Sequence, residues 1–221
     1  MRDRLLSFEE LIQLAYVGQV SLSSTGYYRT PKIHYERDQA RGRPFYYYAF
    51  GAACSEVLID TLTGEYRLLR TDILHDVGAS LNPAIDIGQV EGGFVQGLGW
   101  LTMEELVWND AGKLLTAGPS TYKIPAVSDV PPDLRVRLVE NRQNPEATVF
   151  HSKAVGEPPF MLGISVWCAL QDAVASVADY RFHPALDAPA TPERVLWGVE
   201  RMRRLAAELQ TAPVPTTEEP A

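Results

Sequence analysis

The most constraining stretch of the sequence is residues 152–160, because it places one carboxylate between a glycine and two prolines. A proline ring disfavours the helical region for the residue before it, so Glu157 is predicted to be extended. Pro159 suits the first turn of a helix, and the apolar run 160–170 predicts that this helix is buried. Gly156 permits another backbone or a ligand to approach closely. Together these features predict a rigid carboxylate where a loop enters a buried helix.

The Glu157 carboxylate has two interpretations at this stage. The positive end of the helix favours its ionised form, whereas burial favours its neutral form. A general base that works near pH 7 needs such a balance. In the alternative interpretation, Glu157 only complements the dipole of its own helix. The motif by itself is compatible with both.

A second unusual element is a predicted helix with Asp86 as its cap, running to about Leu106. It contains five glycines, each of which costs roughly 1 kcal/mol relative to alanine inside a helix: Gly88, Gly92, Gly93, Gly97 and Gly99. Helical spacing places Gln89, Gly93, Gln96 and Gly97 on one face, and Val90, Phe94, Leu98 and Leu101 on an apolar stripe. We expect the stripe to pack on the core and the glycine face to meet a close neighbour. Tight helix–sheet packing explains the glycines equally well, and solvent exposure would explain the glutamines.

The remaining elements predict an α+β fold, with mixed sheets and helices packed around them. A capping box at Ser7 to Glu10 predicts a helix to about Val17. Apolar and aromatic patterns predict strands or extended segments at 45–50, 56–60, 66–74, 118–125 and 134–138, with a hairpin turn at Gly64. Thr191 is predicted to cap a last helix that ends near Leu209. Residues 211–221 are rich in proline, threonine and glutamate, which predicts a disordered tail.

Composition argues against several classes of function. The net charge is -8, and no cluster of Lys and Arg alternates with aromatics, so we expect no nucleic-acid partner. No histidine lies at ligand spacing from another His or a Cys, which argues against a protein-ligated zinc. The apolar run near residue 160 is expected to be too short for a bilayer span, so no membrane partner is predicted. Cys54 and Cys168 lie in apolar stretches and are predicted to be buried free thiols, as suits the cytoplasm.

Several motifs in the same order resemble the xanthine dehydrogenase family, in the C-terminal part of its molybdopterin-binding subunit or domain. They are Gly-Gln-Val-Glu-Gly at 88–92, Phe-Val-Gln-Gly-Leu-Gly at 94–99, the segment 118–125, and Lys-Ala-Val-Gly-Glu-Pro-Pro at 153–159. The similarity extends from about Phe8 to about Val195. It implies that residues 1–210 form the C-terminal segment of a molybdopterin-binding domain.

The resemblance also implies an activity. The family hydroxylates an electron-poor purine carbon, as in the conversion of hypoxanthine and xanthine to urate, with water as the oxygen source. Glu157 matches the glutamate that acts as the active-site base, and Gln89 matches the glutamine that hydrogen-bonds the molybdenum centre. Gly156 is then expected to line the cofactor pocket. The dithiolene of the molybdopterin holds the metal in this family, so no side chain of this chain is implied as a metal ligand.

The resemblance further implies partners, because the sequence matches no iron–sulfur cysteine run and no flavin motif. Iron–sulfur clusters and FAD are expected on partner domains or subunits, and the earlier half of the molybdopterin domain on other polypeptide. Exposed apolar surface is expected where that half docks. We expect the isolated chain to bind no cofactor tightly and to turn over no substrate. An aldehyde oxidase-type segment and a non-catalytic remnant are the alternatives, and the chain is a natural truncation, a separately encoded subunit or an excerpt.

Overall fold

The computed structural model describes residues 5–211, in two compact units that divide after Tyr46. The smaller unit contains helix α1 (Phe8–Val17) and an exposed antiparallel pair of strands, β1 (His34–Glu36) and β2 (Arg41–Arg43). The predicted capping box of α1 is confirmed. The Ser7 hydroxyl accepts the Glu10 N–H at 3.2 Å, and the Glu10 carboxylate accepts the Ser7 N–H at 2.9 Å.

The larger unit is built on a three-stranded mixed sheet of β3 (Gly51–Ile59), β4 (Tyr66–His75) and β5 (Asp133–Leu138). Strands β3 and β4 form the predicted antiparallel hairpin, with Gly64 at the turn. Strand β5 pairs in parallel with β4, and helix α2 (Pro83–Thr102) lies in the connection between them. The predicted α+β class with a mixed sheet is therefore confirmed.

Four helical segments cover this sheet: α2, a 3₁₀ helix at Pro158–Gly163, α3 (Ile164–Ser176) and α4 (Pro192–Thr211). The predicted apolar stripe of α2 is confirmed, because Val90, Phe94, Leu98 and Leu101 are all buried. Val90, Phe94 and Leu98 join Val166, Leu170 and Val174 of α3, and Val195, Val199 and Met202 of α4, in one core cluster. This packing fixes α2 and the 3₁₀ helix side by side.

The start and end of α2 differ from the prediction. Its cap is Asn82, whose side-chain oxygen accepts the Ile85 N–H at 3.4 Å, and Pro83 is its first residue. Asp86 instead accepts the Ser80 hydroxyl at 2.5 Å, so it belongs to the first turn. The helix ends at Thr102 and not at Leu106. Pro83 sets the earlier start, because its fixed φ suits a first helical position.

Two segments predicted as extended are not strands. Residues 45–50 form no strand, because the β propensity of aromatic residues depends strongly on tertiary context. Residues 118–122 form a turn, in which the Gly118 carbonyl accepts the Thr121 and Tyr122 N–H groups, both at 2.9 Å. Apart from Thr211, which ends α4, the predicted tail lies outside the described residues.

The apolar run was expected to be too short to cross a bilayer. The helical stretch that contains it is longer than the run itself, so this expectation is wrong as far as length is concerned. The continuous helical stretch Pro158–Ser176 has 19 residues and a mean hydropathy of 1.2, enough by length and composition to cross a membrane. It is nevertheless a core element of the larger unit, because Leu162, Val166 and Leu170 are buried against α2, α4 and the sheet. A core helix passes the same test of length and composition.

Candidate functional site

The glycine face of α2 packs directly on the 3₁₀ helix that follows Glu157. A Cβ atom on Gly93 would lie 3.0 Å from the Gly156 carbonyl oxygen and 3.0 Å from Pro159 Cβ. A Cβ on Gly97 would overlap the Phe160 carbonyl oxygen. Close packing therefore accounts for Gly93 and Gly97, as the simpler interpretation held, although the neighbour is a 3₁₀ helix and not a sheet.

This packing brings the two predicted site segments together. A Cβ built on Gly156 would lie 3.4 Å from the side-chain oxygen of Gln89, and nothing else comes within 4 Å of it. Glu157 is the next residue, and the side chains of both Gln89 and Glu157 are exposed. Gly88 and Gly92 present open backbone beside them, with nothing within 4 Å of a Cβ at either position. The Gln89 amide thus lies next to the residue that precedes Glu157, at an exposed patch where Gly88, Gly92 and Gly156 carry no side chain.

The backbone at Glu157 differs from the prediction. Its φ is −92° and its ψ is −34°, which is helical and not extended. The reason is that Glu157 begins the 3₁₀ helix, where its carbonyl accepts the Phe160 N–H at 3.0 Å. This turn outweighs the steric preference imposed by Pro158. Glu157 itself is exposed.

Glu157 lies at the N-terminus of the 3₁₀ helix, a position compatible with both interpretations, the base and the residue that complements the dipole of its own helix. Glu157 occupies the cap position, yet its carboxylate makes no capping hydrogen bond to the 3₁₀ helix. Within residues 5–211 it also forms no ion pair. Its oxygens are therefore available to a ligand.

Sequence reasoning missed a buried ion pair that precedes Glu157. The Lys153 ammonium lies 2.7 Å from Asp76 Oδ2, with the two side chains only 3% and 7% exposed. Burial raises the pKa of Asp76, but hydrogen bonds from Lys153 and the Gly78 N–H outweigh it, so that the pKa is held below its usual range. Asp76 lies 77 residues away in the chain, so no local pattern could have identified this pair.

His75 is a second buried titratable residue, next to Asp76 at the end of β4. Its side chain is enclosed, and within the described part of the chain neither ring nitrogen has a hydrogen-bond partner. Burial lowers the pKa of His75, and the positive charge of Lys153 lowers it further against the opposing effect of Asp76. The neutral ring is therefore favoured in the folded state.

A separate open groove of about 950 Å³ runs between β3 and α3. Cys54 and Cys168 both line it and both are exposed, so the prediction of buried thiols is wrong. Alternation explains the error for Cys54, because its neighbours on β3, Ala53 and Ser55, are half-buried whereas Cys54 is exposed. The groove is lined by other residues than those around Glu157.

Comparison with known proteins identifies the family. A family model described as a molybdopterin cofactor-binding domain matches residues 1–131. Xanthine dehydrogenase/oxidase of Mus musculus is 52% identical over 195 residues, which cover 86% of this chain and 14% of that protein. Xanthine dehydrogenase of Oryza sativa subsp. japonica is 47% identical over 199 residues, again 86% of this chain and 14% of the relative.

Solved structures agree on the architecture. Reconstituted CO dehydrogenase from Oligotropha carboxidovorans superposes with a TM-score of 0.61 at 25% identity, over 71% of this chain and 19% of that one. Aldehyde oxidoreductase from Desulfovibrio gigas gives a TM-score of 0.57 at 28% identity, over 72% of this chain and 16% of that one. The chain belongs to the molybdopterin cofactor-binding domains of the xanthine dehydrogenase family. It spans only about a seventh of the length of its curated relatives.

The residues around Gln89 and Glu157 fit the edge of a cofactor site. Gly88, Gly92 and Gly156 leave room that side chains would fill, and Gln89 offers both an amide donor and an acceptor to a polar ligand. No group of three His, Cys, Asp or Glu side chains in residues 5–211 is arranged to hold a metal ion.

Proposed function

We propose that this chain forms part of the active site of a molybdenum-dependent hydroxylase that acts on a purine. In this proposal Glu157 is the base, Gln89 contacts the cofactor, and Gly156 lines the pocket between them. The observation that carries the proposal is the adjacency of Gly156 to the Gln89 side chain, which places two motifs 67 residues apart at one exposed patch. Membership in a molybdopterin-binding family supplies the context.

The roles of the residues follow from their chemistry. Bound molybdopterin supplies the metal centre at which a substrate carbon is hydroxylated. Glu157 accepts a proton at its carboxylate, which is possible because no hydrogen bond within the described chain occupies its oxygens. Gln89 donates and accepts hydrogen bonds and so fixes the orientation of the bound cofactor. Gly156 carries no side chain that would separate the two groups.

A purine is the favoured substrate, because the curated relatives that are about half identical to this chain are named xanthine dehydrogenases. The alternative is an aldehyde. An aldehyde oxidoreductase shares the fold at 28% identity, and the base and cofactor contact would serve either substrate. The greater similarity to the xanthine dehydrogenases favours the purine.

The remaining parts of the site lie outside this chain in the proposal. Because the chain spans 14% of its mouse relative, we propose that the rest of the molybdopterin domain and separate iron–sulfur and FAD domains complete the enzyme. The isolated chain is then expected to retain no tightly bound cofactor and to turn over no substrate. The cytoplasm is the proposed compartment.

The test of the base is Glu157→Gln in the assembled enzyme, with Glu193→Gln as the matched control. Glu193 is also an exposed glutamate at the start of a helix, but it belongs to α4. Loss of the base is expected to lower xanthine turnover by roughly 10²- to 10⁴-fold while the molybdenum content stays unchanged. The control is expected to behave as wild type. Wild-type turnover by Glu157→Gln would remove the assignment.

A further inference from the structure

The ion pair of Asp76 and Lys153 is buried near the candidate site, and burying two charges is energetically unfavourable. Taking two charges out of water costs several kcal/mol each, and an apolar pair of similar volume is often as stable or more so. Here the ammonium and carboxylate are 2.7 Å apart and almost fully enclosed. Stability alone is therefore a poor explanation, and a requirement for a defined geometry is a better one.

Every polar contact of this pair restricts its position. Asp76 Oδ1 accepts the Gly78 N–H at 2.8 Å while Oδ2 takes the Lys153 ammonium. The ammonium also lies 5.1 Å from the centre of the Phe50 ring, in the range of a cation–π interaction. The Phe50 carbonyl in turn accepts the Asp76 N–H at 2.8 Å. The Lys153 side chain is thus held by the ends of two strands.

The backbone of Lys153 and Ala154 is held by hydrogen bonds to residues near Phe50 and Asp76 in the chain. The Lys153 N–H donates to the Val77 carbonyl at 2.8 Å, and the next N–H, of Ala154, donates to the Tyr47 hydroxyl at 2.9 Å. At the other end of the segment, the Gly156 carbonyl and Pro159 pack against Gly93 of α2. Residues 153–157 are therefore a short bridge between two anchors, one of which is the buried pair.

We infer that Asp76 and Lys153 are positioning residues for Glu157, holding the segment 153–157 so that Gly156 stays beside Gln89 and Glu157 keeps its place next to it. This inference rests on the proposed role of Glu157. Both side chains of the pair are buried, so they act on Glu157 through the backbone. Small displacements of a catalytic group lower turnover strongly, on the order of 100-fold for about 1 Å.

The experiment compares a broken pair with a neutral pair in the assembled enzyme. Lys153→Met leaves the Asp76 carboxylate buried without its partner, so stability and kcat are both expected to fall. The double variant Asp76→Asn/Lys153→Met contains no buried charge, and the new amide oxygen remains an acceptor for the Gly78 N–H. The stability of the double variant is expected to recover, whereas its kcat stays on the order of 10- to 100-fold below wild type with little change in KM.

A second readout does not depend on activity. Hydrogen exchange at the amides of residues 153–156 is expected to be faster in the double variant than in wild type, because one anchor of the segment is lost. The matched control is Asp133→Asn/Arg135→Met, which removes an ion pair of 2.6 Å that is about half exposed. This control is expected to change neither kcat nor the exchange of residues 153–156.

The outcomes separate the positioning role from the role of the base. If kcat and amide exchange of the double variant return to wild type with its stability, Asp76 and Lys153 are only structural and the inference is overturned. If Glu157→Gln retains turnover, the proposed role of Glu157 as the base is rejected instead. In that case, unchanged amide exchange at residues 153–156 of the double variant would also reject the role of the pair as an anchor. Faster exchange with reduced kcat, in an enzyme that needs Glu157, is the expected result.

Discussion

Gly97 of α2 lies so close to Phe160 that a Cβ atom at position 97 would overlap the Phe160 carbonyl oxygen. The contact is reciprocal, because a Cβ on Gly163 at the other end of the 3₁₀ helix would overlap the Gly97 carbonyl carbon. Two backbones therefore touch without intervening side chains. The contact between the two backbones fixes how closely the 3₁₀ helix packs on α2. It therefore also fixes the backbone position of Glu157, which precedes that helix.

The first prediction compares two glycines of α2. Gly97→Ala is expected to lower the free energy of unfolding by about 1–3 kcal/mol, because backbone must move to accommodate the methyl group. Gly92→Ala is the matched control, since nothing lies within 4 Å of its Cβ position, and it is expected to raise that energy by about 0.5–1 kcal/mol. Urea unfolding of both variants measures the difference. Equal effects would contradict the packing described here.

Local signals in the sequence predicted local structure well. The capping box of α1 and the hairpin at Gly64 each depend on residues within a few positions of one another, and both are confirmed. The apolar stripe of α2 is likewise a property of one helix. Two motifs far apart in the chain are neighbours in the fold, in that Gly156 lies beside Gln89; the roles assigned to Gln89 and Glu157 stay predictions.

What the sequence could not reveal depends on distant partners. The ion pair of Asp76 with Lys153 joins residues 77 positions apart, and no periodicity marks it. The helical backbone of Glu157 was mispredicted because the local effect of Pro158 is weaker than the 3₁₀ turn that packing on α2 stabilises. In both cases the structure depends on tertiary contacts, which a single sequence does not reveal.

The second prediction uses two glycines with the same backbone conformation. Gly64 and Gly112 have φ of +77° and +75°, a region in which an L side chain costs about 1–2 kcal/mol. A Cβ on Gly64 would also overlap the Pro192 carbonyl oxygen at the start of α4, whereas the space at Gly112 is open. Gly112→Ala is expected to lower the free energy of unfolding only by the cost of placing an L side chain at positive φ. Gly64→Ala is expected to lower the free energy of unfolding by about 1–3 kcal/mol more, because of this overlap. Thermal or urea unfolding of both variants measures the difference.

The third prediction concerns the two thiols in the groove between β3 and α3. Because Cys54 and Cys168 are exposed, both are expected to react with a maleimide in the native chain without denaturant. Intact-mass spectrometry should show two additions on the wild type and one on Cys54→Ser or Cys168→Ser. A native chain that takes up label only after unfolding would show that the thiols are enclosed.

The last prediction is a pH dependence caused by His75. Its pKa is lowered by burial, while Lys153 and Asp76 act on the ring with opposite signs. Between the lowered folded pKa and the unfolded value of 6.5, the unfolded chain binds a proton that the folded chain does not. Stability is therefore expected to fall with falling pH in this window, by at most about 1.4 kcal/mol per pH unit.

The contribution of Asp76 belongs to a different pH range. Its folded pKa lies below the ordinary value of 3.8, so the stability it adds is present above that value and is lost only as pH falls through the lower folded pKa. Urea unfolding at pH values from about 7.5 down to about 5 therefore tests the histidine apart from Asp76. His75→Leu should flatten the decline below pH 6.5, whereas the exposed control His34→Asn should leave it unchanged. An undiminished decline in His75→Leu would assign the pH dependence to another group, and His75 would then have to be protonated in the folded protein or accessible to water.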